Sequence, residues 1–434
     1  MTVAMKYIFT IFFTFLVLTS YAQTESILFS PPLAEGVAED AGMSDERLSR
    51  IDEIITTAID QNQIPGAVAL VARDGQIVYH KAFGMADNEA GRELQTNTIF
   101  RIASQTKAIT STAVMMLWEQ GLFQLDDPIS EYLPVFGEAQ ILDTFDVDDT
   151  TYTSVPAENQ ITIRDLLTHT SGIGYGVIDG DERFRMIYEK AGVTDLFTTE
   201  NITIEESVAK LAKLPLHHEP GEEYTYSEGL DVLGYFIEVM SGMPFDEYLR
   251  THIFDPLGMD DTWFYLPESK HDRLVTVQRK DENSDWESFP VTFYDPEYPR
   301  TGEMTFFSGG AGLSSTVADY AKFLQMYLNN GEYAGTRLLS RTTVNFIMQN
   351  QVGDLLGDSG SDYGLAFGLV DEKGEAMGGE GSEGTFDWGG YFNTQYFADP
   401  NENVIGLIFK QTQGPTGDQT SWKFRQLVFQ AIDD

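Results

Sequence analysis

The sequence predicts an α+β fold: an antiparallel sheet flanked by helices from its N- and C-terminal segments, with a mostly helical lobe inserted between them. Three observations predict it. Two β-rich runs, Ala67 to Ala72 and Gln76 to Ala82, flank Arg73-Asp74-Gly75, and an Asp-Gly pair between such runs is a strong hairpin signal. From about residue 100 to 290 the apolar spacing is mostly helical, as in Thr162 to Thr168, Ile204 to Leu214 and Gly229 to Met240. Aromatic and β-branched runs return at Asn393 to Phe397 and Val404 to Phe409, joined by Asp399-Pro400-Asn401-Glu402, and Trp422 to Ile432 has helical spacing. First and last segments therefore share one sheet, and a cleft is expected where the lobes meet.

Taken in order, the chain opens with Lys6, an apolar run from Tyr7 to Leu18, and Ser20-Tyr21-Ala22 at cleavage spacing. The run is shorter than the roughly 20 residues a spanning helix needs. Residues 1–22 read as a cleavable signal peptide, so the protein is expected to be exported to a periplasm or the medium, with no membrane anchor after cleavage. No Cys follows to carry a lipid. Residues 23–42, with Pro31 and Pro32, form a lead segment, and the domain spans 43–431. Ser44 can cap a helix with Asp45 and Glu46 in its first turn and Leu48, Ile51, Ile54, Ile55 and Ile59 on one face; Pro65 and Gly66 lie beyond its end.

Composition narrows the chemistry. The 434 residues contain no cysteine, which removes disulfides, thiol nucleophiles and thiolate metal sites together. A formal net charge of -41 repels nucleic acid and anionic lipid. The six histidines are scattered, and the adjacent His217 and His218 cannot share one helical face, so no metal site is expected. Asp146, Asp148 and Asp149, and the stretch Gly353 to Asp362, lack the Gly and terminal Glu spacing of a calcium loop. No Gly-x-Ser-x-Gly elbow occurs.

One short stretch carries a catalytic pattern. Phe100 to Lys107 leads into the apolar run Ala108 to Glu119, closed by Gly121, so Ser104 falls in a first helical turn with Lys107 three residues on. A Ser hydroxyl needs a base to take its proton during attack, and Lys107 can do this in its neutral form, which burial in an apolar helix favours. The helix dipole and the Ser104 N–H can stabilise the resulting oxyanion. Ser207-Val208-Ala209-Lys210 also fits the spacing, but it lies in an amphipathic segment with Glu205, Glu206 and Lys213 and reads as a solvated helix face.

Further phrases follow in order: Ile161 to Gly172, Pro220-Gly221-Glu222-Glu223-Tyr224-Thr225-Tyr226-Ser227-Glu228-Gly229, Gly309 to Asp319, and Phe386-Asp387-Trp388-Gly389-Gly390-Tyr391. Together with Ser104 they resemble the β-lactamase-like serine hydrolases, most of all the branch of class C β-lactamases, D-alanyl-D-alanine peptidases and family VIII carboxylesterases. The resemblance spans about 43 to 430 and implies a β-lactamase/transpeptidase-like fold and no cofactor. It implies Ser104 as nucleophile, Lys107 as base and Tyr226 as a second proton-transfer group. The backbone N–H groups of Ser104 and Tyr391 become the oxyanion hole. Trp388, Gly389 and Gly390 fall where the family carries a Lys-Thr-Gly or His-Thr-Gly strand facing the substrate. His169, in a Thr-Ser-Gly turn, keeps a structural role.

Two departures from the family pattern bear on substrate. Trp388 replaces a cation that holds a substrate carboxylate, and Glu228 replaces the Asn of Tyr-x-Asn, an ionised carboxylate that only accepts hydrogen bonds. Both lean toward a neutral small-molecule ester, although Glu228 also suits a cationic amino group. The alternatives are a D-amino-acid peptidase or amidase, a β-lactamase, transfer of the acyl group to an alcohol, and a binding or sensing protein without turnover. Loops at about 136–160 and 265–305 are expected to shape the cleft.

Overall fold

The computed structural model describes residues 24–434, so the expected signal peptide and its cleavage point lie outside the described residues. The hairpin forms as expected from Gly66–Arg73 and Gln76–Asp87, with Asp74 and Gly75 both at positive φ, 50° and 74°, the geometry whose twist matches that of paired strands. Val404–Phe409 lies on the other side of Gly66–Arg73, in register from Val404 opposite Arg73 to Phe409 opposite Val68. Beyond it come Thr394–Asp399 and Phe386–Gly390, all antiparallel. Phe386–Gly390 is itself a strand, as the resemblance implied for Trp388-Gly389-Gly390.

Every residue of Gly66–Arg73 and Val404–Phe409 is buried, because both faces of the sheet are covered. Ala67, Ala69, Val71, Val404 and Ile408 pack against Ile51 and Ile55 of the helix Arg50–Asp60 and Phe424 and Val428 of the helix Thr420–Gln430. Val68, Leu70, Ala72, Leu407 and Phe409 face the larger core shared with the helices Thr106–Glu119, Gly229–Ser241 and Val317–Leu328. That two-residue alternation between the two cores is the strand period itself. The single N-terminal helix expected from Ser44 onward is broken at Ser49 into Asp45–Leu48 and Arg50–Asp60, although Ser44 Oγ does accept the Arg47 N–H at 3.3 Å.

The region between the sheet segments is mostly helical, with Ile163–Thr168, Glu182–Ala191, Ile204–Leu211 and Gly229–Ser241. Thr162 and Asp165 close a reciprocal capping box at the start of the first of these. The lobe also holds a two-stranded ribbon, Gln140–Asp146 with Thr151–Pro156, within the stretch expected to be a loop. A shorter pair, Gln278–Lys280 with Trp286–Ser288, lies in the second such stretch. Among the described residues no helix is long and apolar enough to cross a membrane.

Candidate active site

Ser104 sits in the 3-10 turn Ala103–Gln105, which runs directly into the helix Thr106–Glu119. Ala103 holds φ at 44°, a left-handed conformation that costs a non-glycine residue ~1–2 kcal/mol and persists only where packing enforces it. Here Ala103 is fully buried in an aromatic cluster with Tyr175, Phe197, Tyr294, Tyr298 and Phe392. Ser104 is half-buried between neighbours that are fully buried, so this turn leaves the hydroxyl accessible.

Lys107 is completely buried. Its Nζ lies 2.7 Å from the Gly310 carbonyl oxygen, 2.8 Å from the Tyr175 hydroxyl and 3.4 Å from Ser104 Oγ. The Gly310 peptide connects Lys107 to a carboxyl group, since the Gly310 N–H donates to Asp231 Oδ1 at 3.1 Å. A Cβ at Gly310 would stand 2.9 Å from Asp231 Oδ2 and 3.5 Å from Lys107 Nζ, so a side chain there would press on the Asp231 carboxylate. Burial pushes the Asp231 carboxyl above the usual carboxylate range, against the pull of Ser308, the Gly310 N–H and Lys107.

Tyr226, placed by the family-like phrase, comes to the same point: its ring centre is 4.7 Å from Lys107 Nζ and 5.8 Å from the Trp388 ring. The hydrogen bond to Lys107 is made by a different tyrosine, Tyr175, whose ring lies 5.4 Å from that of Tyr226. Burial raises the Tyr175 hydroxyl well above its ordinary range, so it is a neutral phenol that can donate or accept. Tyr175 was not singled out in the sequence. It stands just after the phrase Ile161 to Gly172, in Gly174-Tyr175-Gly176, and the flanking glycines were the one available signal.

Trp388, Gly389 and Gly390 line up on the strand Phe386–Gly390 beside Ser104. Gly390 is required by close approach, because a side chain there would collide with the Ile102 carbonyl, two residues before Ser104. Gly389 meets no such constraint, so close approach explains one of the two glycines. Tyr391 follows directly, with its carbonyl held by Gln413 Nε2 at 2.7 Å. Trp388 packs its ring between Tyr226 and Tyr363, at 5.8 and 5.4 Å, and adds no charge.

Glu228 departs from its expected role as an ionised group meeting the substrate. It is 2% exposed, at the N-cap of Gly229–Ser241, and burial together with Asp195 and Asp231 pushes its carboxyl well above the usual range. That shift favours the protonated form, which can donate as well as accept a hydrogen bond.

His169 caps Ile163–Thr168 at φ 59°, and its Nδ1 accepts the Ser227 N–H at 3.2 Å. Burial lowers its pKa well below the usual value, so it stays neutral; its ring packs 4.6 Å from Tyr226 and fixes where that tyrosine stands. His217 pairs with Asp179 at 3.1 Å and stacks on Phe184, while His218 bonds Thr225 Oγ1 at 3.0 Å. Among the described residues no cluster of acidic or histidine side chains is arranged to hold a metal. Arg101, also unremarked in the sequence, is wholly buried three residues before Ser104. Its Nε and NH1 each donate at 2.7 Å, to the Pro296 and Val275 carbonyls, tying the 275–298 loop to the site. A cavity of about 580 Å³ opens on the flank, bounded by Gly176, Asp195, Phe197 and the helix Glu182–Ala191; Ser104 is not on its wall.

A Ser–x–x–Lys turn and helix packed beside one strand of a mostly antiparallel sheet, with helices on both sheet faces, is the architecture of the β-lactamase/transpeptidase serine hydrolases. The solved structure of EstCE1, described as a hydrolase with promiscuous acyltransferase activity, superposes with a TM-score of 0.75 at 27% identity, covering 90% of this chain and 99% of that one. Esterase EstB of Burkholderia gladioli is 30% identical over 393 residues, 86% of this chain and 93% of EstB. The N-acetylmuramyl-L-alanine amidase of Bacillus subtilis is 27% identical over 423 residues, 92% of this chain and 88% of that protein. The Beta-lactamase family model matches residues 51–430, and the chain belongs to that family and is a hydrolase.

Proposed function

We propose that the protein cleaves neutral carboxylic esters through an acyl-enzyme on Ser104. The observation that carries this reading is the position of Lys107 Nζ, held between the Ser104, Tyr175 and Gly310 oxygens, with the uncharged Trp388 where β-lactam and D-peptide enzymes keep a cation. Ser104 Oγ attacks the ester carbonyl carbon and passes its proton to Lys107. The oxyanion is met by the Ser104 and Tyr391 N–H groups. As the tetrahedral intermediate collapses, the carbon–oxygen bond to the leaving group breaks. That oxygen takes a proton delivered from Lys107 through Tyr226, whose ring centre is 4.7 Å from Nζ, or Tyr175, whose hydroxyl is 2.8 Å from it. Water then attacks the acyl carbon, its proton returning along the same route, and releases the acid and Ser104. Reading residues 1–22 as a cleavable leader, we propose that this activity lies outside the cytoplasm.

Release of nitrophenol from a short-chain ester by the mature chain, lost in Ser104→Ala, is the expected result; an unchanged rate in that variant overturns the reading. The amidase relative favours a second reading, cleavage of an amide in a D-amino-acid peptide, and the hydrolase with acyltransferase activity favours an alcohol in place of water. An ester and a D-alanyl-D-alanine peptide offered at equal concentration, with and without added alcohol, separate all three.

A further inference from the structure

Tyr175 reaches Lys107 from the short segment Gly174–Asp179, and that segment is held in an unusual way. Three consecutive backbone N–H groups each meet a different carboxyl: Tyr175 donates to Asp179 Oδ2 at 2.7 Å, Gly176 to Glu228, and Val177 to Asp195 Oδ2 at 2.5 Å. The Gly174 carbonyl takes the Glu228 N–H at 3.1 Å. Asp179 is satisfied by His217. The other two carboxyls have one buried oxygen each, Asp195 Oδ1 and Glu228 Oε1, that meets no N–H or hydroxyl donor among the described residues. The two side chains instead lie in hydrogen-bonding contact with each other.

We propose that Glu228 and Asp195 share one proton, and that this pair is a positioning device that presents the Tyr175 hydroxyl to Lys107. Two ionised carboxylates buried side by side repel; one proton between them turns the repulsion into a short charge-assisted hydrogen bond. The proton resides on Glu228, which donates to the Asp195 carboxylate, and both remaining oxygens then accept from the segment that carries Tyr175. The titration of the pair agrees. Burial, Asp195 and Asp231 hold Glu228 well above the carboxylate range, while Asp195, raised by burial and lowered by the hydrogen bond to Glu228, reaches only about 6. Asp231 on Gly229–Ser241, Lys107 on Thr106–Glu119, Tyr188 on Glu182–Ala191, and Tyr175 and Tyr391 complete the titratable surroundings. Loss of the shared proton leaves two like charges under the segment, which moves away and takes the Tyr175 hydroxyl with it.

This inference rests on Ser104 and Lys107 carrying the acyl transfer, but its test has a readout that does not. In Glu228→Gln the side-chain amide donates to Asp195 at every pH. Hydrogen–deuterium exchange of the 174–178 amides, corrected for the intrinsic effect of pH, is expected to speed up at least tenfold from pH 7 to pH 9.5 in the unaltered chain and less than twofold in Glu228→Gln. Phosphonylation of Ser104 by a fluorophosphonate, in which Oγ attacks phosphorus and fluoride leaves, is expected to give a pH 9.5 to pH 7 rate ratio at least fivefold higher in Glu228→Gln than in the unaltered chain. Glu228→Ala is expected to be labelled at least fivefold more slowly than Glu228→Gln at either pH. Equal exchange profiles in the two proteins overturn the shared proton, whether or not Ser104 is labelled. A difference in exchange with equal labelling ratios overturns the link to Tyr175. Absence of any labelling at Ser104, with the exchange difference intact, instead removes the proposed acyl chemistry. Should Glu228→Gln fail to fold, Asp195→Asn, whose amide donates to a Glu228 carboxylate, carries the same comparison.

Discussion

Ser104 with Lys107 and Ser207 with Lys210 have the same spacing and lie on helices of the same lobe, yet their surroundings differ in every respect that matters for chemistry. Lys107 is wholly buried and turns back toward its serine. Lys210 reaches away from its own, donating to the Gly192 carbonyl at 2.8 Å. Ser207 is not the solvated residue that its amphipathic segment suggested: it is 4% exposed, accepts the Thr194 N–H at 3.1 Å and donates to the Thr194 carbonyl at 3.3 Å. A hydroxyl with both functions satisfied by backbone is a strut, whereas one left half-exposed beside a buried amine has the setting that the proposed attack requires. The three-residue spacing brings two side chains to one face of a helix; burial and the direction of the amine decide what they do.

The comparison breaks most directly on the serines. Ser104→Ala is expected to lower kcat/KM on the order of a thousandfold or more, whereas Ser207→Ala keeps it within about twofold and costs about 1 kcal/mol in unfolding free energy, read by ester turnover and by urea denaturation. Comparable losses at the two positions would erase the distinction. Next come the lysines, for which Lys107→Ala is expected to cost about 10²–10⁴ in acylation rate and Lys210→Ala almost nothing, with stopped-flow nitrophenol release as the measure. Tyr175→Phe deletes the 2.8 Å bond to Lys107 and is expected to slow acylation about ten- to a hundredfold, matching the ~1.5–3 kcal/mol of a hydrogen bond to a charged group. Trp388→Lys is expected to raise kcat/KM for an ester with a carboxylate on its acyl part about tenfold relative to its neutral counterpart; an unchanged ratio would separate Trp388 from substrate selection.

The smallest effect sharpens the electrostatic side of the contrast. Carboxyls raised in the folded state bind protons more tightly there than in the unfolded chain, so the stability they contribute is complete below their ordinary titration and falls as pH rises. For Asp195 that window runs from 3.8 to about 6, and Asp231 and Glu228 add to it in the same direction. Asp179, Asp261 and Asp418 are lowered by His217, by Arg273 and Lys270, and by Lys410 respectively, and lose their contribution below pH 3.8. Thermal unfolding is therefore expected to peak between about pH 4 and 6 and to drop by a few degrees toward pH 8. A melting temperature that rises steadily to pH 8 would contradict the buried acid cluster around Lys107.

Much of this was legible in the sequence where local chemistry and burial agree. The Asp74-Gly75 hairpin, the helix within Thr162 to Thr168 and the apolar helix after Ser104 appear as expected, because each is specified by neighbouring residues. The exposed ribbon Gln140–Asp146 with Thr151–Pro156 left no mark, since strands without a buried face show little alternation. Tyr175 and Asp195 were hidden for another reason. Their roles come from partners on other helices, and no spacing along the chain foreshadows a carboxyl pair assembled from Asp195 and Glu228.

The strand Gly66–Arg73 is sandwiched between its own hairpin partner and Val404–Phe409, which is synthesised last but for the terminal helix. A chain made N-terminus first therefore presents Ser104 and Lys107 long before Gly390 and Tyr391 arrive beside them. Loop closure over such a separation is slow, and the sheet has no inner partner until it happens. On the proposed mechanism, the site is therefore completed only by the last-made strands of the sheet.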